Sequence, residues 1–146
     1  MGTWGVLAFD NDSANDWAYR LDEINDLSLV ESALDEVVAR GEDDLDSDFA
    51  VEALAACELL ARLRGNPGYT NAFTEKVDRW AAAHKDRLIP SASLLQRASA
   101  AIDRIIGDDS ELREMWEDVD ADKWLAAVED LRRRMLAQAD LKNDFG

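Results

Sequence analysis

The residues whose chemistry could matter are mostly carboxylates, and they gather in two places. Asp10, Asn11 and Asp12 form a short run with Asp16 one helical turn on, and Glu42, Asp43, Asp44, Asp46 and Asp48 crowd into G-E-D-D-L-D-S-D. Several oxygens from one loop are what a hard cation requires. The first run lacks the mid-loop glycine and the twelfth-position glutamate of a calcium loop. The second begins with alternating aspartates but continues into Phe49 and Ala50, where glycine and further ligands belong. Asn and Asp are also the preferred residues of turns and helix caps. Both groups therefore read first as caps and solvated loop, and next as a docking surface, since clustered carboxylates speed encounter with a cationic partner. Neither is assigned a metal.

The other reactive side chains stand apart. His84 is the sole histidine, so one chain holds no histidine pair; four residues after Trp80, it is expected at the core edge, hydrogen-bonded to a carboxylate. Cys57 has no partner for an internal disulfide and lacks the electropositive setting that activates a thiolate. Gly65-Asn66-Pro67-Gly68 has no lysine where a phosphate loop needs one and reads as a turn. Arg132-Arg133-Arg134, with no interleaved aromatics, reads as a helix end paired with acids one turn back. No catalytic residue and no cofactor is assigned.

Charge is the most informative bulk property. The chain has 146 residues, 32 acids against 16 bases, and a net charge of −16. Residues 1–60 hold 16 acids and two bases, Arg20 and Arg40, so nearly all the excess lies there. Nucleic acid and anionic membrane are disfavoured as partners of such a surface, and a basic protein is favoured. The start, M-G-T-W-G, lacks the basic stretch of a secretory signal, and the single cysteine suits a reducing compartment, so cytoplasmic residence is expected.

Hydrophobic periodicity and stop signals give the elements that position these groups. A first helix begins at Asp12 or Ser13, with Ala14, Trp17, Leu21 and Ile24 as its stripe. Ser28 and Glu31 have capping-box spacing and open a second, with Val30, Leu34, Val37 and Val38 inward and Gly41 as its stop. The third, residues 49–64, is apolar nearly all round and must be surrounded by other elements; Arg62 and Arg64 suit its last turn. Thr70 or Asn71 opens a fourth, with Phe73, Val77, Trp80, Ala81 and His84 on one side. Ser91 or Ser93 opens a fifth that buries Leu94, Leu95, Ala98, Ile102, Ile105 and Ile106. Residues 108–110 cap a short sixth, and Asp120 caps a seventh with Trp124, Val128, Leu131 and Met135 inward. Glu129–Arg133 and Asp130–Arg134 are favourable pairs along it. Residues 6–9 alone could be extended. The fold class is all-α: one domain over residues 1–146, a bundle of five to seven short helices around residues 49–64. Residues 1–12 wrap it irregularly, and 141–146 form a tail that can fray.

Ahead of the bundle stands G-T-W-G-V-L-A-F-D-N-D-S-A-N-D-W. Gly2, Trp4, Gly5, Phe9, Asp10, Asn11, Asp12, Ala14, Asp16 and Trp17 give it a pattern, G-x-W-G…F-D-N-D-x-A-x-D-W. It resembles the N-terminal signature of a bacterial family, domain-of-unknown-function family 4259. E-A-L-A-A-C-E-L-L-A-R-L at residues 52–63 resembles a helix of that family, and the remainder is similar only in length and helical character. The resemblance implies no chemistry. Each signature residue also has a structural use: Gly2 and Gly5 let the chain turn, Trp4 and Phe9 can lie on the bundle, and Trp17 starts a buried stripe. Asp10, Asn11 and Asp16 are left as the exposed members.

The leading functional reading is a non-catalytic acidic interaction module, of immunity or inhibitor type, that neutralises a basic partner. Two other classes stay open. One is self-association into a homo-oligomer, acidic half on Arg-rich half. The other is a carboxylate-based metal-dependent enzyme using residues 10–16 or 42–48. Five tryptophans are generous for one small domain, and some could rim an interface.

Overall fold

The computed structural model describes residues 5–39 and 44–137. Gly2, Trp4, Gly41, Glu42, Asp43 and the 141–146 tail lie outside the described residues. Those described form seven α-helices: α1 (Asp12–Tyr19), α2 (Ser28–Val38), α3 (Ser47–Leu63), α4 (Glu75–His84), α5 (Ala92–Ile106), α6 (Glu111–Glu117) and α7 (Ala121–Leu136). Single 3-10 turns follow α1 (Arg20–Glu23) and precede α4 (Ala72–Thr74).

The centre is α3. Fourteen of its 17 residues are buried, only Asp48, Phe49 and Glu52 near its start reach solvent, and it packs against each of the other six helices. Ala50, Ala53, Ala55, Ala56 and Ala61 are fully buried; with no side chain beyond Cβ, they let neighbouring backbones come close. α2, α5 and α7 follow one another around one side of α3, α6 bridges α5 and α7, and α1 and α4 close the other side. The expected start at Phe49 is two residues late. Asp46 leaves the helical region of φ and ψ and accepts the Asp48 amide, so α3 opens at Ser47.

Several caps fall on the expected residues: Asn71, Ser91, Ser110 and Asp120 each accept an amide of the following turn. Two do not. α1 is capped by Asn11, whose side chain accepts the Ala14 amide at 2.8 Å, not by Asp12 or Ser13. At α2 the Ser28–Glu31 capping box does not form. Asp26 instead accepts both the Ser28 amide (3.0 Å) and its hydroxyl (2.6 Å), so the serine is the capped residue.

Residues 5–9 are not extended. The Asp10 amide donates to the Leu7 carbonyl (3.0 Å) while the Leu7 amide donates to the Asp10 carboxylate (3.1 Å), which closes a tight turn. A side chain at Gly5 would collide with that carboxylate. Phe9 is wholly buried, and its amide donates to the Tyr69 hydroxyl. Val6, Leu7 and Ala8 lie over α3 and α7, leaving two gaps of about 10 Å³ each, room for a water at most.

Trp17, Trp80, Trp116 and Trp124 are all buried. Trp116 and Trp124 lie parallel with centroids 6.5 Å apart, and the Trp80 indole donates to the Ile24 carbonyl. The four described tryptophans are therefore core, not rim, while Phe73, expected inward, is 45% exposed. Trp17→Ala should lower stability by about 3–5 kcal/mol, the usual cost of deleting a buried aromatic side chain. A urea midpoint equal to that of the parent protein would contradict this packing.

Candidate functional site

A glutamate and an arginine four residues apart interrupt the apolar surface of α3. Glu58 and Arg62 have side chains only 2% exposed and pair with each other along the helix. α7 brings Arg134 against the same carboxylate with a two-pronged contact, Nη2 to Oε2 at 2.8 Å and Nη1 to Oε1 at 3.1 Å. α4 contributes Asp78, whose Oδ1 accepts Arg62 Nε at 2.6 Å while Oδ2 accepts the Thr74 hydroxyl at 2.7 Å. Asp130 accepts Arg134 Nε at 2.8 Å.

The turn at 65–69 completes the shell. The Tyr69 carbonyl accepts Arg62 Nη2, the Asn66 carbonyl accepts Arg134 Nη1, and the Arg62 guanidinium lies 5.1 Å from the centre of the Tyr69 ring. Gly68 has φ +53°, and a Cβ there would strike the Arg134 side chain, so both backbone and space require glycine. Burial works against Arg134's charge, but Glu58 and Asp130 outweigh it and hold the guanidinium more firmly protonated than usual. Burial first, and then the Glu58 charge, push the Tyr69 hydroxyl and the Cys57 thiol well up, so neither ionises near neutrality. The gap that Glu58 helps to line measures about 10 Å³, room for a water at most, and the cluster locks α3, α4 and α7 together. Sequence reading missed it by taking Arg62 as a helix-end cation. The available signal was the i, i+4 pair itself, because charges inside an apolar helix need partners.

The acidic residues singled out in the sequence divide between structure and surface. Asn11 is buried, a correction to its expected exposure, and besides capping α1 it donates to the Ala8 carbonyl. Asp10 is half-buried and engaged by Leu7. Asp12 and Asp16 are exposed on α1. Glu42 and Asp43 lie outside the described residues. Asp44, Asp46 and Asp48 are exposed; Asp46 caps α3, and Asp48 accepts the Ser13 hydroxyl, setting the start of α1 beside the start of α3.

Between Asp44 and Asp46, Leu45 is wholly buried and pairs in an isolated β-bridge with Ser110. Its amide donates to the Asp109 carbonyl and its carbonyl accepts the Glu111 amide. That bridge brings α6 to the acidic connection. Asp44, Asp46, Glu111 and Glu114 line an open cleft of about 230 Å³. A second cleft of about 450 Å³ runs along α2, lined by Ser28, Glu31, Ser32, Asp35, Glu36 and Ala39. Among the described residues, every ionisable side chain lining either cleft is an acid. Sequence reading found the 44–48 side but not Glu111 and Glu114, which the bridge delivers from far along the chain.

The remaining candidates take structural places. His84 stacks on Trp80 at 4.0 Å, with Nδ1 2.8 Å from the Trp80 carbonyl, so its partner is a backbone carbonyl and not the expected carboxylate. Arg132 pairs with Asp103 and Glu129, Arg133 with Asp130, and Arg134 with Glu58 and Asp130. The expected Glu129–Arg133 pair is replaced by i, i+3 contacts. Among the described residues no group of three His, Cys, Asp or Glu side chains could hold a metal ion, and no helix is long and apolar enough to cross a membrane.

Fold and site together define an all-helical domain with an ion cluster at its centre and carboxylate-lined clefts on its surface. The chain belongs to the family described as Domain of unknown function (DUF4259), which it matches over residues 2–127. No curated protein and no solved structure matches it.

Two outcomes are expected. Glu58→Gln should cost about 3–5 kcal/mol, because it leaves buried guanidinium charge unmatched; chemical denaturation reads this directly. Glu111 accepts the Ser47 amide at 2.8 Å, which holds its carboxyl below the ordinary Glu value of 4.5. A depressed folded pKa gives stability that is complete above the ordinary value and lost as pH falls through the folded one. Glu111→Gln should therefore show a shallower loss of stability than the parent as pH falls below about 4.5, and superimposable acid limbs would contradict the contact.

Proposed function

We propose that this protein is a non-catalytic acidic interaction module that receives a basic protein segment across α2, the 44–46 connection and the start of α6. The observation that carries this reading is the lining of the two clefts, which among the described residues holds seven carboxylates and no base. Among the described residues no salt bridge reaches Glu31, Asp44, Asp46, Glu111 or Glu114, so their field is available to a partner. Ala39 of one cleft and Asp44 of the other are five residues apart in sequence, hence within ~18 Å, a span that one extended segment can cover. A second copy of this chain suits the surface less well than a foreign basic partner. Arg132, Arg133 and Arg134, the densest basic run, are already bonded to acids of their own chain.

An oligolysine peptide is the direct probe. It should bind at low ionic strength and be released by salt, because exposed charges are screened within a Debye length. Glu31→Gln, Asp44→Asn and Glu114→Gln combined should weaken binding roughly ten-fold while leaving the fold intact, each exposed pair contributing up to about 1 kcal/mol. No binding by isothermal titration calorimetry at low salt would overturn the proposal.

A further inference from the structure

The outer face of α1 carries a second feature, outside both clefts. On α1, Asp12, Asp16 and Tyr19 succeed one another at four- and three-residue steps and all are exposed, while Ala14, Trp17 and Ala18 face the core. Side chains at these steps are neighbours on a helix surface. Tyr19 is 63% exposed, an unusual place for the largest side chain on that face.

The ring already holds a cation. Lys76 Nζ sits 4.6 Å from the Tyr19 centroid and 2.7 Å from Asp22 Oδ2. An aromatic face beside a carboxylate is thus a working cation site within this chain. Lys76 does not fill it, because Tyr19 stays largely exposed with the ammonium in place. Among the described residues no salt bridge reaches Asp12, Asp16 or Glu23. Tyrosine is also among the side chains that dominate binding hot spots, particularly where acids around it complement a positive partner.

We propose that the α1 face formed by Asp12, Asp16 and Tyr19 is an arginine-selective anchor for the basic partner. A guanidinium of the partner stacks on the exposed part of the Tyr19 ring, and Asp16, one turn before it, accepts its hydrogen bonds. Arginine is the residue that fits. Its guanidinium is planar, weakly hydrated and able to stack while donating in plane, whereas an ammonium offers the ring only a point charge. The inference rests on the acidic-module reading and adds to it the side chain by which the partner is chosen.

The test compares labelled oligoarginine and oligolysine of equal length by fluorescence anisotropy at low salt. The parent should bind oligoarginine more tightly. Tyr19→Ala should weaken oligoarginine roughly two- to five-fold, the range for exposed cation–π contacts, and leave oligolysine nearly unchanged. Tyr19→Phe should keep the preference, because it keeps the ring, and Asp16→Asn should weaken oligoarginine more than oligolysine. Equal binding of the two peptides, or a preference that survives Tyr19→Ala, overturns the anchor while leaving the acidic module standing. Binding of neither peptide overturns both.

Discussion

Glu58 is a charge held where water does not reach, and much of the architecture follows from neutralising it. An ion taken into the interior loses several kcal/mol of solvation unless it meets well-placed opposite charge. Arg62 supplies part of that from the same helix, and Arg134 supplies the rest from α7 with a two-pronged contact that fixes its orientation. Each arginine then needs its remaining donors satisfied. Asp78 ties in α4, Asp130 holds Arg134 on α7, and the Asn66 and Tyr69 carbonyls draw the 65–69 turn over the cluster. Tyr69 passes the constraint on to Phe9 through its hydroxyl. Apolar faces alone would tolerate small slides of one helix on another; this cluster specifies a single register.

The same cluster accounts for how charge is distributed outside. The basic residues lie mostly after residue 60, and several of their arginines are turned to internal work. Arg62 and Arg134 are buried, Arg132 binds Asp103, Glu129 and Ser99, and Arg104 and Arg113 donate to backbone carbonyls at the end of α5. Among the described acids of the first 60 residues, no salt bridge reaches Asp12, Asp16, Glu23, Glu31, Asp44 or Asp46. They remain on α1 and the turn after it, on α2 and along the connection into α3, which is why the surface expresses the negative half of the sequence more strongly than the positive half.

Much of the fold could be read from the sequence because helical periodicity, Gly and Pro stops and N-cap residues are local signals. Ser91, Ser110 and Asp120 are examples in which a polar side chain directly precedes an apolar stripe. The misses involve choices that local sequence leaves degenerate. Asn11, Asp12 and Ser13 can all cap; the backbone decides, and it is Asn11 that adopts φ −158°, ψ 157°. Asp26 and Ser28 compete in the same way ahead of α2. The ion cluster and the cleft between the 44–46 connection and α6 were illegible for another reason: they are pairings between distant segments. Nothing near Glu58 announces Arg134, and nothing near Asp44 announces Glu114. The α1 anchor lay between these cases, its spacing local but its occupied ring dependent on α4.

The separation between Glu58 and Arg134 also bears on how the domain is made. Their bond spans 76 residues, so during synthesis the central helix emerges long before its second counter-charge exists. Helices α1 to α3 can collapse early on their apolar faces, yet a carboxylate with only Arg62 beside it resists full burial. Until α7 follows, burying the middle of α3 would strand that carboxylate with half of its counter-charge. Close packing of the core is thus favoured only once the helix that neutralises it is present.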